Sequence, residues 1–517
     1  MTSSRVLPLA VASSAALLLA ACNSGGNSNG GGTVPAGATV MADVSTTAAN
    51  DLRGLSFGSD GLIYASGHTD ADATDRQTVI MRFNTDGTPD TNWGGDGSVE
   101  LNLAPNGGDE QSYGVVVLSN GDVIAVVNAT DGNGGTPITS TPNATITANR
   151  EDGQDVLLVK LDSTGSLVNS FGTNGVVEVA FGWADNTAWP TPTLSDAGEF
   201  SGPGFPSDTA FDLKLDTSGS EERVVVFGYG SPLAGSPQRF DNDRYVTRVL
   251  ASSGAVDSGF NSGTAFSWAS TGGTGDFGDN GRRGHVFDDG SMVSVGYTNY
   301  GDGFRHHVVL LKLTETGVLD PSFQGFGVTP FTSSPPENGV AVFNPFREDG
   351  GFAEAYAVGV QTDGSMVTTG YGGATGPGIP SSLGYETYQA QDLVSFRVPA
   401  SGGGYDRTWG NFGTQAIQSE AVTGTPSFEE RGRHVLGLPD DRTVHVGRFG
   451  GTAAIYVLTA DGQLDTSVDQ DGIFELPDAN ISAQFYAVAA SADGSLVATT
   501  TNSDDNGARL VVIGFGS

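Results

Sequence analysis

From residue 51 to the end of the chain, apolar and polar residues alternate in short runs, the period-two pattern of strands with one buried face. Val79-Ile80-Met81-Arg82-Phe83 and the run from Val308 to Leu313 are examples. Turn signals punctuate the runs at Asp60-Gly61, Asn120-Gly121, Ser218-Gly219, Asp289-Gly290, Asp363-Gly364, Asp440-Asp441 and Asp493-Gly494. Such dipeptides tolerate the positive φ of tight turns, so each predicts a hairpin. A second element follows six of the hairpins, with Gly, Asp, an aromatic residue and Gly at offsets 0, 3, 6 and 10. Gly87, Asp90, Trp93 and Gly97 open the series, and Gly317, Asp320, Phe323 and Gly327 repeat it. Val168 in place of Asp and Val468 in place of the aromatic mark degenerate copies.

These residues resemble the delta-60 repeat of bacterial secreted and surface proteins, whose unit reads roughly DG-x-VVxxG followed by RxxxDGxxDxxFGxxGxV. The resemblance covers nearly everything beyond residue 37 and implies a β-propeller; it implies no settled activity. Strand counting tests that implication. Each unit offers four strands, in the first about 52–58, 62–67, 77–84 and 97–103. The last unit offers only three, and an isolated strand signal from Ala38 to Val44 supplies the missing one. The expected fold is therefore all-β, a seven-bladed β-propeller of four-stranded antiparallel blades. Its ring is closed by the N-terminal strand 38–44, which removes the open edge of the last blade.

Ahead of the repeats, Arg5 precedes an apolar run from Val6 to Ala21, broken by Ser13 and Ser14 and ending in Leu19-Ala20-Ala21-Cys22. This is the layout of a secretory signal. The tetrapeptide matches the lipobox of bacterial lipoproteins, which implies cleavage before Cys22 and acylation of that residue. Residues 1–21 are expected to be a signal peptide, 22–37 an acylated cysteine with a flexible Gly/Asn/Ser linker, and 38–517 one propeller. Asn23, where inner-membrane retention signals carry Asp, points to an exported protein anchored by lipid to the outer membrane. Cys22 is the single cysteine, which excludes an intrachain disulfide framework and paired-thiolate zinc sites.

Charge narrows the partners. Against 59 Asp and Glu stand 23 Lys and Arg, a net −36, so the clustered cations that neutralise nucleic-acid phosphates are missing. Long segments interrupt the repeats between second and third strands and between units, and these loops are all expected on one face, a natural recognition surface. The same face holds the start of each first strand. Eight residues before each turn position stand Arg53, Tyr113, Phe211, Arg282, Tyr356, Arg433 and Tyr486, every one an arginine or an aromatic. Such a ring suits an anionic group with a stacking face. Its structural alternative is that the arginines pair with Asp51, Asp279 and Glu430. Aromatic residues in the insertions, Trp183, Trp189, Phe200, Phe205, Tyr385 and Tyr388, are further candidate contacts.

Catalytic signatures are missing: no Gly-x-Ser-x-Gly elbow, P-loop or HExxH occurs. No cofactor is identified, and no metal site is assigned. His285 and His434 are a weak candidate metal pair, and calcium is a weak candidate at Asp70 to Asp75 and at Asp504-Asp505-Asn506-Gly507. The expectation is a lipid-anchored, non-enzymatic binding or scaffold module for a protein or glycan in the cell envelope. The alternative is a propeller hydrolase or lyase using Arg282, His285, Arg433 and His434 at the channel mouth.

Overall fold

The computed structural model describes residues 38–45, 50–72, 75–104, 108–130, 154–179, 181, 193–194, 200–201, 208–230, 242–270, 278–300, 305–327, 336–346, 351–373, 392–411, 415–417, 430–449, 452–476, 484–492, 494–501 and 507–515. The signal segment, Cys22 and the linker lie outside them.

The described chain is all-β, built from antiparallel sheets that resemble propeller blades. The pattern is set by the first: Asp51–Phe57, Ile63–Asp72, Asp75–Phe83 and Ser98–Leu101 pair in sequence order. Further sheets open with Glu110–Val117, Asp208–Asp216, Asp279–Val286, Phe352–Val360 and Arg431–Gly437 and repeat the order. At the end of the chain Gln484–Ala490, Leu496–Thr501 and Arg509–Phe515 pair in turn, and Ala38–Ser45 lies antiparallel on Arg509–Phe515. A single bridge, Asp51 to Thr501, joins this last sheet to the first. The first strands pack in a cycle. Strand 51–57 contacts 110–117, then 208–216, 279–286, 352–360, 431–437 and 484–490 follow one on the next, and 484–490 returns to 51–57.

The hairpin signals do what their chemistry dictates. Gly61, Gly121, Gly290, Gly364 and Gly494 have φ between 80° and 86°, and Asp441 takes the same left-handed form at 66°. The third copy differs: Asp216 pairs with Arg223, so the loop is one residue longer, and Gly219 is not left-handed.

The second element proves to be a latch between neighbouring sheets. Its aspartate caps the turn, with Asp90, Asp257, Asp320, Asp406 and Asp465 each accepting the backbone N–H two residues on. In two copies an arginine of the preceding strand pairs with that aspartate and lies over the aromatic: Arg82 reaches Asp90 at 2.7 Å and Trp93 at 5.6 Å, and Arg248 reaches Asp257 at 2.8 Å and Phe260 at 5.2 Å. The aromatics Trp93, Phe171, Phe260, Phe323 and Trp409 are buried. Each of several lies under the opening glycine of the following unit; a Cβ on Gly254 would stand 3.1 Å from Phe171, and one on Gly462 2.4 Å from Trp409. Both glycines also have positive φ, 76° and 85°, so sterics and conformation both demand glycine.

One expectation is corrected. In the fourth unit the outer strand is Val340–Phe343, and the closing position of the motif belongs to Gly339, not Gly327. Lys312 donates its N–H to Gly339, as Arg82 does to Gly97, and Gly339 donates to Phe323, as Gly97 does to Trp93. An insertion therefore sits between the third and fourth strands, where the link was expected to be short. It leaves from the hairpin end, so the inserted segments do not all share one face.

Candidate functional site

The first strand of every sheet is interrupted by a β-bulge. The extra residue is Arg53, Tyr113, Phe211, Tyr356, Arg433 or Tyr486, and in strand 279–286 the shift spans Arg282 and Arg283. A bulge leaves its extra residue out of the ladder and re-aims the side chain. Seven side chains are turned towards one another as a result. Arg53 lies 4.8 Å from the Tyr113 ring, and Tyr113 is 4.9 Å from Phe211. Arg282 lies 4.2 Å from Phe211 and 4.9 Å from Tyr356. Arg433 follows at 4.9 Å from Tyr356 and 5.8 Å from Tyr486, and Arg53 completes the cycle at 4.9 Å from Tyr486. Contacts of this kind contribute about 0.5–2 kcal/mol each, more as they are desolvated.

The next residue along strand 279–286 reaches first strands of other sheets. Arg283 is buried and ion-paired to Asp212 at 3.4 Å, and it donates to the backbone carbonyls of Arg53 at 2.9 Å and Tyr486 at 3.3 Å. One guanidinium thus ties together strands from four sheets.

The three ring arginines are not equivalent. Arg53 is neutralised by Asp51 at 2.6 Å, and it also donates to the Tyr113 hydroxyl. Asp51 further accepts from Gln111 at 3.3 Å. Arg282 does not pair with Asp279, whose carboxylate accepts the Ser270 N–H at 2.7 Å. Its Nη2 donates to the Tyr297 hydroxyl at 3.0 Å, while Nε and Nη1 are buried without an acceptor among the described residues. Arg433 donates to the Gln484 side-chain carbonyl at 3.0 Å, a neutral acceptor in place of Glu430. Leaving charged donors buried and unmatched costs about 1–3 kcal/mol or more. Burial opposes the Arg282 charge, but the oxygens of Tyr356, Tyr297 and Tyr229 and the Glu354 carboxylate outweigh it, and the guanidinium stays protonated.

Four rings surround Arg282: Phe211, Tyr356, Tyr297 at 5.1 Å and Tyr229 at 5.6 Å. Tyr229 and Tyr297 escaped sequence reasoning, as did Gln111, Asp212, Arg283 and Gln484. A signal existed for part of this: Tyr297 and Tyr371 each stand seven residues after their turn glycine, and Tyr229 holds the equivalent place beside them. Behind Tyr297, His306 stacks at 4.6 Å and hydrogen-bonds Glu354, and Tyr371 meets the Tyr356 hydroxyl at 3.2 Å.

Register fixes the end at which the ring lies. Asp208 pairs with Gly230 and Gly230 with Asp243, so the start of a first strand adjoins the ends flanking the insertion 231–241. Phe211 sits three residues in from that end. Most of the inserted residues, and the side chains of Trp183, Trp189, Phe200, Phe205, Tyr385 and Tyr388, lie outside the described residues.

The remaining candidates have other work. His434 accepts the Val488 N–H at 3.3 Å and is held neutral, chiefly by burial and then by Arg283 and Lys214. His285 packs edge-on against Phe287, and burial with Lys214 and Lys312 lowers its pKa to about 4. Among the described residues no three His, Cys, Asp or Glu converge as metal ligands. Asp70 accepts from Asn50 at 2.9 Å and faces Arg76 at 3.6 Å, while Asp504 to Asn506 lie outside the described residues.

Residues 58–92 match a family profile described as "Domain of unknown function (DUF5122) beta-propeller". No curated protein sequence matches the chain. Among solved structures, a streptogramin B lyase is 12% identical with a TM-score of 0.38, covering 93% of this chain and 97% of its own. PorZ, a surface component of the type-IX secretion system of Porphyromonas gingivalis, is 12% identical with a TM-score of 0.36, over 90% of this chain and 46% of its own. A glucose dehydrogenase is 11% identical with a TM-score of 0.32, over 70% and 93%.

Proposed function

We propose that this chain is an exported lipoprotein, anchored through an acylated Cys22 to the outer membrane, whose repeats form a seven-bladed propeller closed by residues 38–45. It acts as a non-catalytic binding or scaffold module for a protein or glycan of the cell envelope. The partner is engaged at the mouth where the ring side chains meet the insertion-bearing strand ends. The observation that carries this reading is the ring itself. Two cations with only neutral hydrogen-bond acceptors, on a chain of net charge −36, are held at the end from which most inserted segments leave. The cyclic packing of first strands and the pairing of Ala38–Ser45 with Arg509–Phe515 support seven-fold closure.

A channel-mouth enzyme has less support. Its histidines are spent on a backbone N–H and on Phe287, and Arg283 is bound to Asp212 and to the carbonyls of Arg53 and Tyr486. The reading is tested by capture from a native envelope preparation with the full-length chain and with a chain whose segments 131–150 and 374–391 are replaced by short Gly/Ser links. Retention of a defined component by the first and its loss from the second is expected. Equal retention by both would remove the insertion-bearing face from the account.

A further inference from the structure

We propose that the Arg282 side of the ring is a binding site for a carboxylate carried on a sugar ring, as in a hexuronate-containing saccharide. This rests on the reading of the chain as a binding module and names what the module holds.

Three observations meet at this place. Arg282 is 7% exposed, and its Nε and Nη1 donors have no acceptor among the described residues. Arg433, whose guanidinium carbon lies 4.9 Å from the same Tyr356 centroid as that of Arg282, has a glutamine as its acceptor. The Glu354 carboxylate, which helps hold the Arg282 charge, bonds His306 through Oε1 and makes no hydrogen bond to either arginine among the described residues. Two cations therefore flank one tyrosine, and one of them, Arg282, holds two unmatched donors. A planar carboxylate matches the guanidinium fork in shape and charge.

The walls select what carries that carboxylate. The second-strand position that lies outward from the ring is Tyr229, Tyr297 and Tyr371 in three consecutive sheets, against His68, Asn128, Arg448 and Thr501 in the others. With Phe211 and Tyr356 these make an aromatic wall on the Arg282 side alone. Aromatic faces take up the C–H face of a pyranose, and phenol hydroxyls offer hydrogen bonds at its rim. A bare inorganic anion would use the arginines and leave the wall idle, and an acidic side chain of a protein presents no flat face. The net charge of −36 repels long polyanions, so a short acidic saccharide fits better than a polymer.

Calorimetric titration of the full-length chain, solubilised in a non-ionic detergent, tests this with four probes: trigalacturonate, its methyl ester, neutral trigalactose and triglutamate. Saturable binding of trigalacturonate is expected, weaker by about tenfold or more for the ester and the neutral sugar. Arg282→Lys keeps the charge and loses the fork, and is expected to weaken the acid by a similar factor; its unfolding midpoint is measured alongside. The comparison of acid with ester on the unaltered chain stands even if that variant misfolds. Ester binding as tight as acid overturns the carboxylate and leaves the binding module intact. Triglutamate binding without saccharide binding overturns the sugar and favours a protein partner. Binding of none of the four overturns the proposal, while envelope capture continues to judge the broader reading.

Discussion

Single residues carry more of this molecule's behaviour than its repetitive sequence suggests. Each ring side chain was legible because it stands at a constant distance from a turn, yet the reason for its orientation, a bulge, has no sequence mark. The choice of partner was legible only in part. Asp51 is two residues from Arg53 and does pair with it, whereas Asp279 is three residues from Arg282 and does not, because the backbone N–H of Ser270 claims the aspartate. Burial also sets a pH response. Glu110 is pushed up to about 8 and Asp279 to about 7, both chiefly by burial. As pH rises from about 4 to 8 the unfolded chain releases protons that the folded chain retains, so this part of the stability is lost. Burial lowers His68 and His445 to about 3 and His285 to about 4, and His434 well below its usual range. As pH falls below about 6.5 the unfolded chain takes up protons that these imidazoles refuse, so stability is lost in that direction. The expected outcome is a thermal midpoint greatest near pH 6.5 that declines on both sides. Glu110→Gln should flatten the alkaline decline, and an unchanged slope would show that Glu110 is not held protonated.

At the scale of elements, the hairpins and latches follow from local chemistry and were readable as such. Glycines at positive φ, aspartates capping turns and an aromatic in most units recur because each sheet repeats the same contact with its neighbour. Repetition also misled. Gly327 fits the spacing of the motif, but a segment inserted after Phe323 moves the closing role to Gly339, and only hydrogen bonding distinguishes the two. The N-terminal strand bears a prediction of its own. Residues 38–45 cover the edge of strand 509–515, and an uncovered edge is a template for aggregation. Deleting 38–45 should lower the unfolding midpoint by several degrees and increase light scattering on heating. An unchanged midpoint would mean that the pairing adds nothing to stability.

On the scale of the whole molecule, seven bulges combine into something no single repeat contains, a ring of three guanidinium and four aromatic groups with its unmatched donors on one side. The asymmetry resides in Arg282, Arg433 and the tyrosines beside them, on a scaffold that is otherwise nearly uniform. Composition could not reveal it, since an excess of 36 negative charges hides two arginines that hydrogen-bond no carboxylate among the described residues. The account stands or falls on whether this ring is where the molecule meets its partner. The decisive measurement is side-by-side retention of native envelope components by the full-length chain and by its Arg282→Gln/Arg433→Gln double variant, with unfolding midpoints compared. A component held by the unaltered chain and released from the double variant, at similar midpoints, is the predicted result. Equal retention by both, or no component retained by either, would contradict it.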